Sequence, residues 1–295
     1  MTLFKKHLYQ ITYVFITLSI VFPVISIAIS QIFLSLAILG FILDRLLNEQ
    51  QSVFFPPIKL PLSFFILTTV LSWLLSPDLT LGLPPINKLW LFVIILLVAN
   101  YFSEKRTILA YQTLFTAGIV ACSFAFVQYI FPSLGSVQGR ITGFMGHWMT
   151  FSGQLMMGTV ALFSYILVYK IPQLFEPPER AERENYCEGR DLSSVDWNLL
   201  ETLGWTVILG LLLFTLVLTY TRNAWLGTVG GLLVLLWVYR SRWLIWGIML
   251  LVVVFLALPG AFKSRVYSGF DPDDTTTRIR LELLLTGLNI VAAHP

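Results

Sequence analysis

Long apolar runs, interrupted at a few polar positions, set the reading of this chain. The first run extends from Leu8 to Leu43. A helix crossing a bilayer takes about 20 residues, so this run is too long for one crossing and just long enough for a tight pair. Pro23, with Ser26 and Ser30 close by, marks the break, because proline removes a backbone donor and crowds the preceding turn. The pattern predicts helices over 8–25 and 28–46. A polar link with Asp44, Arg45, Pro56, Pro57 and Lys59 leads to a third helix over 60–76. The stretch 76–85 (S-P-D-L-T-L-G-L-P-P) has turn chemistry throughout. A fourth helix is expected over 87–102, closed by Ser103-Glu104-Lys105-Arg106, and a fifth over 107–131, stopped by Pro132. After a glycine-rich loop over 133–146, a sixth helix covers 148–169.

The long polar segment 170–200 follows, with seven acids against four bases. It reads as a solvated connector, with a docking loop as the sharper alternative. Helices over 201–219, 224–239 and 243–259 complete the series, the first two separated only by Thr221-Arg222-Asn223. Residues 260–295 read as a polar loop followed by one amphipathic helix.

Composition agrees with this pattern. Hydrophobic residues make up 57% of the chain, charged residues 12%, and the mean hydropathy is +0.79. Soluble domains carry about 25% charged residues. The fold class that follows is all-α: a polytopic transmembrane bundle of about nine spans over 1–260, with the start of a large outer loop over 261–295. Membrane lipids are its surroundings, and no nucleic-acid partner is expected. Lys5 and Lys6 precede an apolar run much longer than a signal-peptide core, so the start reads as an uncleaved first span. Nine spans with a cytoplasmic N-terminus place twelve of the nineteen basic residues on the inner side of a plasma (inner) membrane, as the positive-inside rule asks. Cys122 lies in an apolar run and Cys187 in a polar loop, so the pair does not read as a disulfide.

The basic residues left on the outer side need a reason to be there. Arg140 precedes the sixth helix, in R-I-T-G-F-M-G-H-W-M-T-F-S-G (140–153). Arg222 precedes the eighth, in T-Y-T-R-N-A-W (219–225). A helix N-terminus already carries partial positive charge, so a cation there is unfavourable unless an anion joins it. One such arginine is equally a headgroup contact. Two at equivalent positions favour an oxyanion site, since the planar guanidinium grips phosphate in bidentate fashion. On the last helix, Arg278, Glu282, Thr286 and Asn289 share a polar face, with Arg278 and Glu282 spaced as an i,i+4 pair. Arg280 points the other way, into a face expected to pack, with Leu284, Gly287 and Val291. It joins the substrate-binding candidates, with a carbonyl or a loop acid as its other possible partner.

His147, after the Gly143–Gly146 turn, is the catalytic candidate, with a structural role as the alternative. Lys88, at the outer start of the fourth helix, completes the candidate anion ligands, and is equally a headgroup contact. Asp271-Pro272-Asp273-Asp274 lacks the spacing of a calcium loop, and Asp274 or Thr275 serves as an N-cap. Neither His147 nor His294 has partners at zinc-ligand spacing, so no metal and no cofactor are expected.

The segments 140–153, 219–227 (T-Y-T-R-N-A-W-L-G) and 280–295 (R-L-E-L-L-L-T-G-L-N-I-V-A-A-H-P) resemble, in order and spacing, the signatures of the O-antigen ligase and polymerase family. The resemblance implies a membrane-embedded glycosyltransferase of the C type. It takes a glycan from a polyprenyl diphosphate carrier and passes it to a lipid A core or another glycan, by a metal-independent displacement at the anomeric carbon. It also implies that Arg140, Arg222 and Arg280 hold the diphosphate. Leu284 stands where relatives often carry Trp. The family's later loop histidine would fall beyond Pro295, so the chain resembles a C-terminally truncated member, and a chain of this length is expected to transfer poorly. A glycan polymerase, a relative of bicarbonate-type anion transporters and an inactive fragment are the alternatives. A transporter should carry ionisable residues deep in its spans, and here charge lies at the span ends.

Overall fold

The first long run folds back on itself where the sequence places Pro23. A computed structural model describes residues 2–47, 52–76, 78–80, 82–134, 140–172, 197–239, 244–245, 247–249, 260–267 and 275–293. Helix α1 (Thr2–Val21) ends in a 3₁₀ turn, Phe22–Val24, and α2 (Ile27–Leu47) returns beside it. Ser30 Oγ donates to the Ser19 carbonyl at 2.7 Å and ties the two sides of this corner together. Helix α3 (Lys59–Leu74) is followed by a single turn, α4 (Leu83–Ile86). The expected fourth helix is divided into a 3₁₀ segment, Leu89–Phe92, and α5 (Val93–Tyr101), with a turn at Asn87 and Lys88 between them and α4. Pro84 and Pro85 supply no backbone donors, which favours a short start over a continuous helix. Helix α6 (Glu104–Ile130) follows. Next come α7 (Trp148–Tyr165), extended by the π-helical turn Ile166–Lys170, then α8 (Trp197–Leu218), α9 (Arg222–Tyr239), α10 (Gly260–Tyr267) and α11 (Thr275–Ala293). There is no strand among the described residues.

The chain is an all-α polytopic membrane protein. Five helices among the described residues are long and apolar enough to cross a bilayer: Lys5–Val24, Ile27–Leu47, Glu104–Ile130, Trp148–Lys170 and Leu199–Leu218. Lys59–Leu74 and Leu89–Tyr101 are apolar but shorter. The expected helix over 243–259 and most of the polar segment 170–200 lie outside the described residues.

Two compact units divide the chain, Met1–Ala121 and Cys122–Pro295. In the first, α1, α2 and α5 pack around Ile16, Leu34, Ala37, Leu97 and Tyr101. Gly40 lets α2 approach α1 closely, since a Cβ there would run into Thr12 Oγ1. Asp44 is 1% exposed, and its carboxylate accepts from the Tyr101 hydroxyl at 2.6 Å. A buried carboxylate needs such a donor, because an unpaired charge in an apolar medium is prohibitive.

The second unit is organised by α7, which packs against both α8 and α9. At its C-terminal end Lys170 Nζ meets Glu201 at 2.7 Å, and Trp205 Nε1 donates to the same carboxylate at 3.2 Å. Along its other side two glycines of α9 take the place of side chains. A Cβ on Gly227 would run into Met156 Sδ, and one on Gly231 would stand 2.8 Å from Val160 Cγ2. Small residues one turn apart are the usual means by which membrane helices approach backbone to backbone.

Candidate functional site

The contact between α7 and α9 brings the starts of both helices to the same end of the second unit. A cavity of about 530 Å³ opens there. The first turns of α7 (Trp148, Met149, Ser152, Gly153) and of α9 (Arg222, Asn223, Ala224) form its walls, with Met156 below them and Tyr220 and Thr221 from the turn before α9. Arg140 and Arg280 complete the lining. Three arginines thus face one cavity, and no acid is among its lining residues that the structure describes. The two helix N-termini add backbone N–H groups and positive partial charge. A lining of this kind suits an anion, since guanidinium groups with backbone donors match phosphate oxygens in geometry.

Each arginine is delivered by a distinct local device. Arg140 lies at 5.1 Å from the ring of Trp148, in cation–π geometry. The loop that carries it is fastened by Gln128, an amide 4% exposed near the end of α6. Gln128 Oε1 accepts from the backbone N–H groups of Thr142 and Gly143, both at 2.9 Å, and Nε2 donates to the carbonyls of Leu134 and Gly143, both at 3.1 Å. One side chain thereby bonds four backbone groups, three of them in the buried Thr142–Gly143 turn.

Gly143 sits in that loop at φ +55°, a left-handed conformation that costs an L-residue roughly 1–2 kcal/mol. A Cβ there would also stand 2.6 Å from the ring of buried Phe151. Gly143→Ala is therefore expected to lower stability by about 3 kcal/mol, since strain and overlap add. Gly146, at φ +68° with nothing within 4 Å, should lose only about 1 kcal/mol on the same change. Thermal unfolding of the two variants in detergent checks the order, and equal losses would show that Phe151 yields.

Arg222 is the first residue of α9 and is half-buried. It follows a tight reversal in which Tyr220 adopts φ +52°, the one non-glycine positive φ among the described residues. Helices commonly close with such a left-handed residue, but glycine is its usual occupant. A tyrosine held there, in the cavity wall, is a local cost accepted where the chain must turn within three residues. Trp225 Nε1 donates to the Leu216 carbonyl at 3.0 Å and clamps the turn from the far side. Arg280 comes from α11, and its Nη1 donates to Asn223 Oδ1 at 3.1 Å. Among the described residues this partner is a neutral amide of α9. The expectation that its face of α11 is packed fails: every residue from Arg278 to Ala293 is exposed. Periodicity marks an apolar face but does not say what covers it.

His147 stands beside this cavity and outside its lining. It is the N-cap of α7, where its Nδ1 accepts from the Met149 N–H at 3.2 Å, and its ring stacks on Trp148 at 4.5 Å. The structure thus gives His147 a capping role at the mouth of the site. Lys88 belongs to the first unit, exposed just before the 3₁₀ segment Leu89–Phe92. It is absent from the cavity lining. Arg278 and Glu282 form the expected i,i+4 pair, at 3.0 Å, away from the cavity. Asp271, Asp273, Asp274 and His294 lie outside the described residues. Gln128 and Asn223 escaped the sequence reading. The available signal for Gln128 was an amide alone in the apolar run Phe124–Phe131.

Residues 207–295 match the family model described as O-antigen ligase. The match takes in Tyr220, Arg222, Asn223 and Arg280, and leaves Arg140 and the start of α7 outside it. No curated protein and no solved structure matches the chain.

Proposed function

We propose, from the match of residues 207–295 to the family model described as O-antigen ligase, that this membrane protein is a glycosyltransferase. In this reading it moves a glycan from a polyprenyl diphosphate carrier to a lipid A core or a related acceptor, at the outer face of the inner membrane, with its N-terminus cytoplasmic. The single observation that carries the reading is the convergence of Arg140, Arg222 and Arg280 on one cavity at the starts of α7 and α9. A diphosphate ester leaves with negative charge as an acceptor hydroxyl attacks the anomeric carbon and the sugar–phosphate bond breaks. Cations and N–H dipoles already in place stabilise that charge without reorganising during the reaction. Placing them at the ends of membrane helices suits a substrate whose lipid tail stays in the bilayer while its headgroup reaches the cavity.

The test is complementation. The complete gene product, expressed in a host that lacks its own O-antigen ligase, should restore glycan on the lipid A core, read by gel and by glycan-specific antibody. No restored glycan, with the protein present in the membrane, overturns the ligase reading. Longer carrier-linked glycan without attachment to the core replaces it with polymerase activity.

A further inference from the structure

Helix α11 has a feature that the anion site does not use. Viewed down its axis at 100° per residue, Arg278, Glu282, Thr286 and Asn289 fall in a narrow polar sector. From Arg278 onward the remaining arc carries no polar side chain but Arg280, which lies near its centre, opposite the polar sector. Arg280 is also the residue that reaches the cavity and bonds Asn223. The apolar arc therefore faces the same way as the cavity contact. The Arg280 contact fixes the depth as well. Asn223 is the second residue of α9, and the cavity is shared with Trp148, which opens the candidate span Trp148–Lys170. At the point of contact α11 lies level with the end of a membrane span.

From Arg280 the helix runs on for eleven residues to Val291, about 16 Å at 1.5 Å per residue, beyond the cavity. Along that length Leu284, Leu288 and Val291 continue the face of Arg280, and they are 59%, 57% and 66% exposed. The same degree of exposure is found on the apolar helix α3, at Phe64 (69%) and Leu67 (56%). Three charged residues within eight positions of its start set α11 apart from the candidate spans.

We propose that α11 lies in the membrane interface, with its apolar arc against lipid acyl chains and its polar sector toward water. Arg280 is then the point at which this interfacial helix is fastened over the cavity. A charge in the middle of an apolar arc would oppose insertion; here it lines the cavity and bonds Asn223, and the arc on either side meets lipid. The burial of such an arc is what holds an amphipathic helix at a bilayer surface. The inference is independent of the reaction catalysed.

The experiment uses the full chain in phospholipid vesicles, in a background carrying Cys122→Ser and Cys187→Ser. Leu284→Cys and Leu288→Cys report the apolar arc, and Thr286→Cys and Asn289→Cys the polar sector, each labelled with an environment-sensitive fluorophore. All four sites are exposed, so labelling should leave the fold intact. A nitroxide at Val291→Cys, read by oxygen against nickel accessibility, gives a second measure of depth. Quenching by doxyl-labelled lipid should be roughly threefold stronger at the two leucines than at the polar pair, with the reverse order for iodide. Iodide access at all four positions would place α11 in water and overturn the proposal. Protection of the leucines from both quenchers would show that protein covers the arc, another segment or a second copy, and would overturn it equally.

Discussion

Arg222→Ala and Arg280→Ala are each expected to lower glycan transfer by about a hundredfold or more, the usual consequence of removing one fixed donor from a site that stabilises a developing anion. Arg222 stands at the first position of α9, where the helix N-terminus already contributes positive charge. A guanidinium at that position adds to the field of the helix start, so its removal should weaken binding of the anion. Arg280 is held by Asn223, and Asn223→Ala should produce a smaller loss of the same kind, because the guanidinium remains but is no longer aimed. Lysine at either position keeps the charge and loses the planar fork, so partial recovery is expected. Arg278 is the control. It lies one turn-fraction away on the same helix, 72% exposed and paired with Glu282, and Arg278→Ala should stay within about twofold of the parent. Comparable losses at Arg278 and Arg280 would mean that α11 contributes only diffuse charge, and the diphosphate clamp would have to be abandoned.

The architecture was legible because a bilayer imposes few solutions. Apolar runs of span length must be helices, since every backbone group has to be satisfied within the segment. Pro23 divides the first run as expected, and the hairpin α1–α2 follows from it. Arg140 and Arg222 were singled out at expected helix starts and Arg280 on a helix face, and the three line one cavity. What escaped was tertiary. Gln128 holds the Arg140 loop through backbone groups fourteen and fifteen residues away, and no local pattern announces such a partner. The left-handed Tyr220 departs from the glycine that a turn of this kind prefers, so propensity alone points elsewhere. The fourth helix is broken because Pro84 and Pro85 start it before the turn at Asn87, a competition that hydropathy does not register. His147 was singled out for its chemistry, and the structure shows its Nδ1 engaged as a helix cap.

The seam between α7 and α9 is what sets the arginines' spacing, and its glycines should be unequal. Gly231→Leu places side-chain atoms where Val160 Cγ2 already lies 2.8 Å from the ideal Cβ position. Valine on a helix has one favoured rotamer and cannot swing away, so the helices must separate. A loss of about 2–3 kcal/mol is expected, the range for overpacking a tight contact. At Gly227 the obstacle is the thioether of Met156, the far end of a flexible side chain, and Gly227→Ala should cost less, about 1 kcal/mol. Gly230 has nothing within 4 Å, and Gly230→Leu should leave stability within about 0.5 kcal/mol of the parent. The functional order should follow the structural one. Met156 lines the cavity about two turns below the start of α7, so parting α9 from α7 at Gly231 should carry Arg222 away from Arg140 and widen the cavity. Thermal unfolding in detergent and glycan transfer, measured on the same three variants, should therefore rank alike, with Gly231→Leu lowest in both. Loss of transfer in Gly230→Leu with unchanged stability would place a functional contact on the outer face of α9 and break the link between the seam and the site.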